Sequence, residues 1–196
     1  MTPPPRTGRT TDLRDPASMR ALAHPTRMRL VGLLRDRGPQ TAALLGDAVD
    51  EAPGTVSYHL GKLAAIGLIE QVEGHSTDRR ERWWRATSDS TSWEPAAMLD
   101  DPEQLVASSA LQKAIAQVYA AQFSRYVDTL PTFPREWVAA SASSDRAVHL
   151  TAGQLAELRG DLEALAEKWD AVSQQQAGEP GTASVTLVYQ AYRTPA

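Results

Sequence analysis

From residue 18 to residue 35 the apolar positions Met19, Leu22, Met28, Leu30, Val31, Leu33 and Leu34 recur at helical steps, interrupted by His24-Pro25. Proline opens a helix more readily than it continues one, so the pattern predicts a short helix before His24 and a longer one from Thr26. His24 then stands where a side chain can cap the second of these, a reading preferred to that of a metal ligand. Ala42, Leu44, Leu45 and Val49 predict a further helix from about Thr41, whose hydroxyl suits an N-cap, to Val49. Asp50 to Pro53 breaks the pattern, and Pro53 is tolerated at the start of the next helix. From Gly54 to Ile66 the apolar set is Val56, Leu60, Leu63, Ala64 and Ile66, again at helical spacing. After Gly67 the period changes. Leu68, Ile69 and Val72 read as a strand, Glu73 to Asp78 as a turn, and Arg82 to Ala86 as a returning strand.

The second half follows a different plan. Asp89 to Asp101 holds Ser, Pro and acids, so a boundary is placed there, with 91–101 as a linker. A long helix is predicted from about Pro102 to Leu130, with Leu111, Ile115, Val118, Tyr119, Phe123, Tyr126, Val127 and Leu130 forming one stripe. Pro131 and Pro134 stop it. Trp137–Ala142 and Arg146–Leu150 read as two short strands, and a helix from near Thr151 carries Leu155, Leu158, Leu162, Leu165, Trp169 and Val172 in a heptad seam. The seam is under three heptads long, which favours a helix laid on a neighbour over a free coiled coil and leaves a dimer seam open. Val185, Leu187, Tyr189 and Ala191 alternate as a last strand. Residues 102–196 are therefore expected to be a long helix followed by a small β-β-α-β unit. Residues 1–16, rich in Pro, Thr and Arg, are expected to be a disordered tail, in which Arg6, Arg9 and Arg14 offer an arm for a groove.

The polar positions of residues 54–66 give the first chemical lead. Thr55, Ser57, Tyr58, His59 and Lys62 all donate hydrogen bonds or carry positive charge, and no acid occurs from Gly54 to Gly67. Such a helix suits the DNA major groove, where hydroxyl, imidazole and amine groups meet base edges and phosphates. Two short helices joined by a brief turn, the second polar outside, make a helix-turn-helix, and the hairpin after them makes a wing. Arg79, Arg80, Arg82 and Arg85 cluster there, opposed in that stretch by Asp78 and Glu81, and are candidates for phosphate or minor-groove contacts. Thr41 joins the candidate DNA-binding set. The expected fold class is α+β, mainly α, with a winged helix-turn-helix domain over 17–90.

The segments ALAHPTRMRLVGLL, SYHL and GLIEQVEG occur in an order and spacing that resemble the winged helix-turn-helix repressors of the ArsR/SmtB type, over roughly Ala17 to Thr87. The resemblance implies a homodimeric transcriptional regulator on duplex DNA, a repressor at an inverted-repeat operator, with Thr55, Ser57, Tyr58, His59 and Lys62 reading and Arg79, Arg80 and Arg82 on the wing. Many relatives sense metals through cysteine pairs or through His and carboxylate clusters. This chain has no cysteine, and no histidine between Pro102 and Leu130. His24, His59, His75 and His149 show no metal-ligand spacing, so no metal site, metal response or other cofactor is expected.

Charge changes the picture only after it is divided along the chain. The net formal charge is -4, but residues 1–90 carry 13 basic against 11 acidic side chains and residues 91–196 carry 7 against 13. The basic excess lies in the half that resembles a DNA reader, and it is small enough to predict modest affinity with strong salt dependence. At 196 residues and 42% hydrophobic, the chain supports one or two domains with a real core. Without a membrane-length apolar run or a signal core, it is expected to be cytoplasmic.

Three further readings are weighed. Tyr119, Phe123, Tyr126, Trp137 and Trp169 are candidates to line a pocket for a small apolar or aromatic effector, which would make the chain a ligand-responsive regulator. Plain core packing is the preferred account of them. Ser141 or Ser143, Asp145 and His149 lie close in sequence, but no nucleophile-elbow glycines or phosphate-cradling loop accompany them, and the chain is not expected to be an enzyme. A winged domain serving a protein partner is disfavoured by the acid-free helix face and the wing arginines.

Overall fold

The computed structural model describes residues 9–73, 81–176 and 179–195. Helix α1 (Pro16–Leu22) begins where Asp15 accepts a hydrogen bond from the Ser18 amide at 2.8 Å, satisfying one of the donors that a helix start leaves open. Helix α2 (Pro25–Arg37) follows, so the break at His24-Pro25 divides the two helices as the proline requires. His24 occupies the N-cap position, but its side chain makes no capping bond. The capping role expected of it is corrected below by its actual neighbours.

Helix α3 (Ala42–Val49) is capped by the Thr41 hydroxyl, which accepts from the Leu44 amide, and it ends on Asp50 in the left-handed conformation. The turn then doubles back so tightly that a Cβ on Gly46 would stand 2.6 Å from the Glu51 carbonyl oxygen. Only glycine fits there. Arg29 donates to the Ala48 and Val49 carbonyls from α2, capping the negative end of α3. Helix α4 (Pro53–Ala65) buries Val56, Leu60 and Leu63 completely, against a core that includes Leu30, Leu34 and Leu45. Side chains of this kind each contribute about 1.5–3 kcal/mol when fully buried.

The sheet of the wing has the order β2-β4-β3, from Gln40–Thr41, Trp83–Ala86 and Ile69–Val72. Strands β3 and β4 pair antiparallel, with Ile69 opposite Ala86 and Val72 opposite Trp83. Of the residues expected as a loose tail, Thr10–Asp12 form a strand and Pro16 opens α1. Strand β1 (Thr10–Asp12) pairs in parallel with β5 (Ser90–Ser92), a strand lying where the boundary and linker were expected. Leu13, the next residue, is buried, and it donates its amide to the Ser92 carbonyl. Arg35 ties α2 to the same place, donating to the Ser88 carbonyl at 2.9 Å and to the Thr91 hydroxyl at 2.8 Å. Enough backbone and side-chain bonds close here to offset the ordering of a polar segment.

The long helix is α5 (Pro102–Thr129). Its first half belongs to the core: Ala107, Ser108, Leu111 and Ala114 are buried, and Glu103 pairs with Arg20 of α1. The chain divides into two units, Met1–Ala120 and Ala121–Ala196. In the second unit α6 (Arg135–Ala140) and α7 (Ala152–Gln175) are helical, α7 with a full capping box at Thr151 and Gln154. The predicted β-β-α-β unit is corrected in its strands. Trp137–Ala140 lies in α6, whose start is set by Pro134, while 141–150 and 183–191 run without strand pairing among the described residues. A strand needs an edge to bond to, and those segments meet none within the described chain. No described residue of the second unit is buried.

Candidate nucleic-acid interface

Helix α4 presents two unlike sides. Val56, Leu60 and Leu63 face the core, while Thr55, Ser57, Tyr58 and Lys62 are exposed, Tyr58 at 61%. The Lys62 ammonium stands 5.5 Å from the Tyr58 ring centroid, so the two form one cationic and aromatic patch. The Ser57 hydroxyl donates to the Pro53 carbonyl at 2.8 Å, leaving its oxygen lone pairs outward as acceptors. Thr41 is partly buried and its hydroxyl is committed to capping α3.

His59 departs from the expected exposed face. It is only 6% exposed. On the helix it falls between the buried stripe and the outer pair Thr55 and Lys62, and a contact from far away in sequence decides its side. The ring of His24 lies 4.6 Å from it, centroid to centroid. Spacing along the chain carries no sign of this pair, which the fold brings together across 35 positions. His59 Nε2 also faces Glu51 Oε2 at 3.8 Å, and the other Glu51 oxygen accepts from the Thr26 hydroxyl at 2.6 Å. Burial, followed by the charge of Arg27 and the neighbouring His59, pushes the His24 pKa down, while Glu51 opposes the shift. Sequence reasoning missed this cluster entirely.

On the wing, Arg82 is exposed at the entrance to β4. Arg85 is opposed across the hairpin by Glu70, with 2.7 Å between guanidinium and carboxylate, a partner outside the stretch in which opposing acids were sought. Arg79, Arg80 and His75 lie outside the described residues. Among the described residues no group of three His, Cys, Asp or Glu side chains is arranged to hold a metal ion, and no helix is long and apolar enough to cross a membrane.

None of the five candidate pocket residues is buried. Phe123 and Trp169 are 50% and 54% exposed, and Tyr119 is exposed as well. The Tyr126 ring lies tilted against both Phe123 and Phe133, with centroids 5.9 Å apart in each pair. An open depression of about 380 Å³ in the second unit is lined instead by Val148, Leu150, Gln154, Glu157, Leu158 and Asp161. Ser141, Ser143, Asp145 and His149 lie exposed on the unpaired segment 141–150.

A capped helix, a tight turn, a second helix with a polar outer face and a following hairpin define the class: this part of the chain is a winged helix-turn-helix domain. Residues 22–72 match a family model described as a helix-turn-helix domain. A comparison with curated proteins finds no match. Among solved structures, the chain is similar to a protein described as a "possible transcriptional regulator for arsenical resistance", with 25% identity, 65% of this chain and 98% of the other covered, and a TM-score of 0.31. It is also similar to a MarR family regulator from Neisseria meningitidis, with 22% identity, 77% and 79% covered, and a TM-score of 0.32. A ZitR variant from Lactococcus lactis is 17% identical over 74% and 73%, with a TM-score of 0.29.

Proposed function

We propose that the protein is a transcriptional regulator that binds an inverted-repeat operator as a homodimer and acts there as a repressor. The observation that carries this reading is the outer side of α4, where Thr55, Ser57, Tyr58 and Lys62 stand exposed and acid-free on a helix anchored by Val56, Leu60 and Leu63. A helix held in this way enters the major groove, its hydroxyls reaching base edges and its lysine a phosphate. Arg82, exposed at the entrance to β4, is assigned to the DNA backbone, and the same role for Arg79 and Arg80 rests on the sequence alone.

The homodimer is supported by the second unit, in which apolar side chains at helical and alternating spacing have no buried place in one chain. Leu165 and Trp169 on α7, and Val185 and Leu187 beyond it, are all exposed. A second copy laid on these faces supplies the core that one copy lacks. The aromatic group of Phe123, Tyr126 and Phe133 fits the same purpose, and an effector that fits between those rings would act on the dimer.

The test is a footprint of the purified, chelator-treated chain on the DNA upstream of its own gene, at two salt concentrations. Two protected half-sites about one helical turn apart, fading steeply with salt, are expected. A random-sequence selection that recovers no duplex would overturn the reading. Titrating small aromatic molecules against tryptophan fluorescence addresses the effector: a flat response across a broad panel leaves the aromatic residues as interface alone.

A further inference from the structure

After α7 the chain turns where the Thr182 amide donates to the Glu179 carbonyl, and residues 183–195 then run free of helix, strand and turn. From Val185 to Pro195 no backbone group is bonded to another backbone group among the described residues. Peptide amides and carbonyls are obligatory bonding groups, and a row of them flanked by apolar side chains is a template for a further strand. The side chains of this row are apolar and uncovered: Val185, Leu187, Val188, Tyr189 and Tyr192 are all exposed. Gln122 of α5 donates to the Thr186 hydroxyl at 2.8 Å, which ties the segment to the part of that helix in its own unit.

The order of the residues points to the strand that fits. Read outward from Leu187 in both directions, ASVTLVYQA gives Thr186 and Val188, then Val185 and Tyr189, then Ser184 and Gln190, then Ala183 and Ala191. Each step matches in kind: two β-branched residues, two large apolar ones, two uncharged polar ones, two alanines. In an antiparallel pair of identical segments centred on Leu187 these become the directly opposed pairs, and Leu187 stands opposite itself. Pairs of β-branched residues, and of an aromatic with a β-branched residue, are favourable across a sheet. The alternation then gathers Ala183, Val185, Leu187, Tyr189 and Ala191 of both copies on one face. No charge occurs from Thr182 to Tyr192, so two copies meet without repulsion. The same register carries Arg193 of each copy to the end of the other strand, where Glu179 of the second copy stands in the turn, and the two charges complement each other at both ends. Residues 146–150 also lack a strand partner, but Arg146 and His149 interrupt their apolar positions and they have no such symmetry. A two-stranded ribbon is marginal by itself. Here the tie at Thr186 sets each strand against its own α5.

We propose that residues 183–191 of two copies pair as an antiparallel β-ribbon about a two-fold axis at Leu187, and that this ribbon joins the dimer. The inference rests on the homodimer reading above and gives it a seam and a register. The contact is isologous, each copy offering the same surface to the other.

The chain has no cysteine, so single cysteines report without background. Full-length Leu187→Cys, Ala183→Cys and Ala191→Cys are oxidised with copper phenanthroline and separated on a non-reducing gel, and the wild type and the unoxidised variants are sedimented at micromolar concentration. Directly opposed residues of an antiparallel pair have Cα atoms about 4.5–5.5 Å apart, within the reach of a disulfide. Leu187→Cys should therefore cross-link to a dimer. Ala183→Cys alone and Ala191→Cys alone should not, because the two identical positions stand eight residues apart along the ribbon, about 27 Å. A mixture of these two variants, left to exchange subunits, should cross-link, and it decides the register if Leu187→Cys itself sediments as a monomer. A wild-type dimer in which neither Leu187→Cys nor the mixture cross-links, or in which all three cysteines cross-link alike, would overturn the ribbon and leave the homodimer standing. Cross-linking of Leu187→Cys only when mixed with Val148→Cys would overturn it in favour of pairing with residues 146–150. A wild type that sediments as a monomer removes the homodimer reading and the ribbon together.

Discussion

Lys62 and His59 are three residues apart on α4, yet one meets solvent and the other meets His24. Their replacement should therefore read out differently. Lys62→Ala removes a cation from the outer face, so binding should weaken on all duplex sequences and the salt dependence should fall by about one unit of slope, as measured by anisotropy over a salt series. A changed sequence preference with the slope intact would place Lys62 on a base edge instead. For His24 the readout is stability. Its folded pKa is depressed from the usual 6.5, chiefly by burial. As pH falls below 6.5 the unfolded chain takes up a proton that this ring in the folded chain refuses, so stability declines until pH drops below the folded value. Urea melts at pH 7.5 and pH 5.5 should show a smaller acid-side loss in His24→Gln than in the wild type, and equal losses would assign the effect elsewhere. Neither distinction between these residues is visible in the sequence. Helical spacing sorts a face to within a residue, and His59 sits at the edge of the face, where a partner from α2 decides.

At the scale of elements, α5 is continuous but serves two environments. Its early residues Ala107, Leu111 and Ala114 fill the core of the first unit, while Phe123 and Val127 are exposed. Leu111→Ala should destabilise by about 2–5 kcal/mol, by the loss of buried methyls and the cavity left behind. Val127→Ala should leave the stability of the first unit unchanged, and chemical denaturation monitored at the tryptophans distinguishes the two. The helices α1 to α4 and the hairpin were legible because each carries its own punctuation: Pro25, Thr41, Pro53 and Gly67 mark starts and stops by local backbone chemistry. The strands expected at 137–142, 146–150 and 185–191 were not secured in the same way. Alternation of apolar residues makes a face suited to a sheet, but the hydrogen bonds of a sheet come from another strand, which local sequence does not name. At Arg135–Ala140 the local preference runs the other way. Pro134 leads into a short helix with Glu136 in its first turn, and alanine-rich residues continue it. The described end of the expected tail shows the same physics in reverse: Thr10–Asp12 is too polar to order alone, and it orders because Ser90–Ser92 offers an edge.

At the scale of the whole molecule, burial divides the chain at Ala120. The unit before it has a closed core, which the start of α5 completes, while none of the described residues of the unit after it is buried. The proposed self-association through the second unit rests on that asymmetry. Sedimentation of the full chain should give a dimer at micromolar concentration. A double change at exposed apolar positions of α7, Leu165→Asp with Trp169→Asp, should give a monomer that binds a palindromic duplex far more weakly while the first unit keeps its fold. A variant that remained dimeric would move the seam to other faces.

The pairing of β1 with β5 has a mechanical consequence. The strands that enter and leave the DNA-binding domain lie side by side and run in the same direction, with Thr10 beside Ser90 and Asp12 beside Ser92. A pull applied between the chain before Thr10 and the helix after Ser92 loads the joint in shear, so its backbone bonds, and the hydroxyl contact of Thr10 with Ser90, resist together and are not unzipped one at a time. Tension transmitted along the chain thus meets this clasp and the packed start of α5 before it reaches α4, so the outer side of α4 is shielded from it.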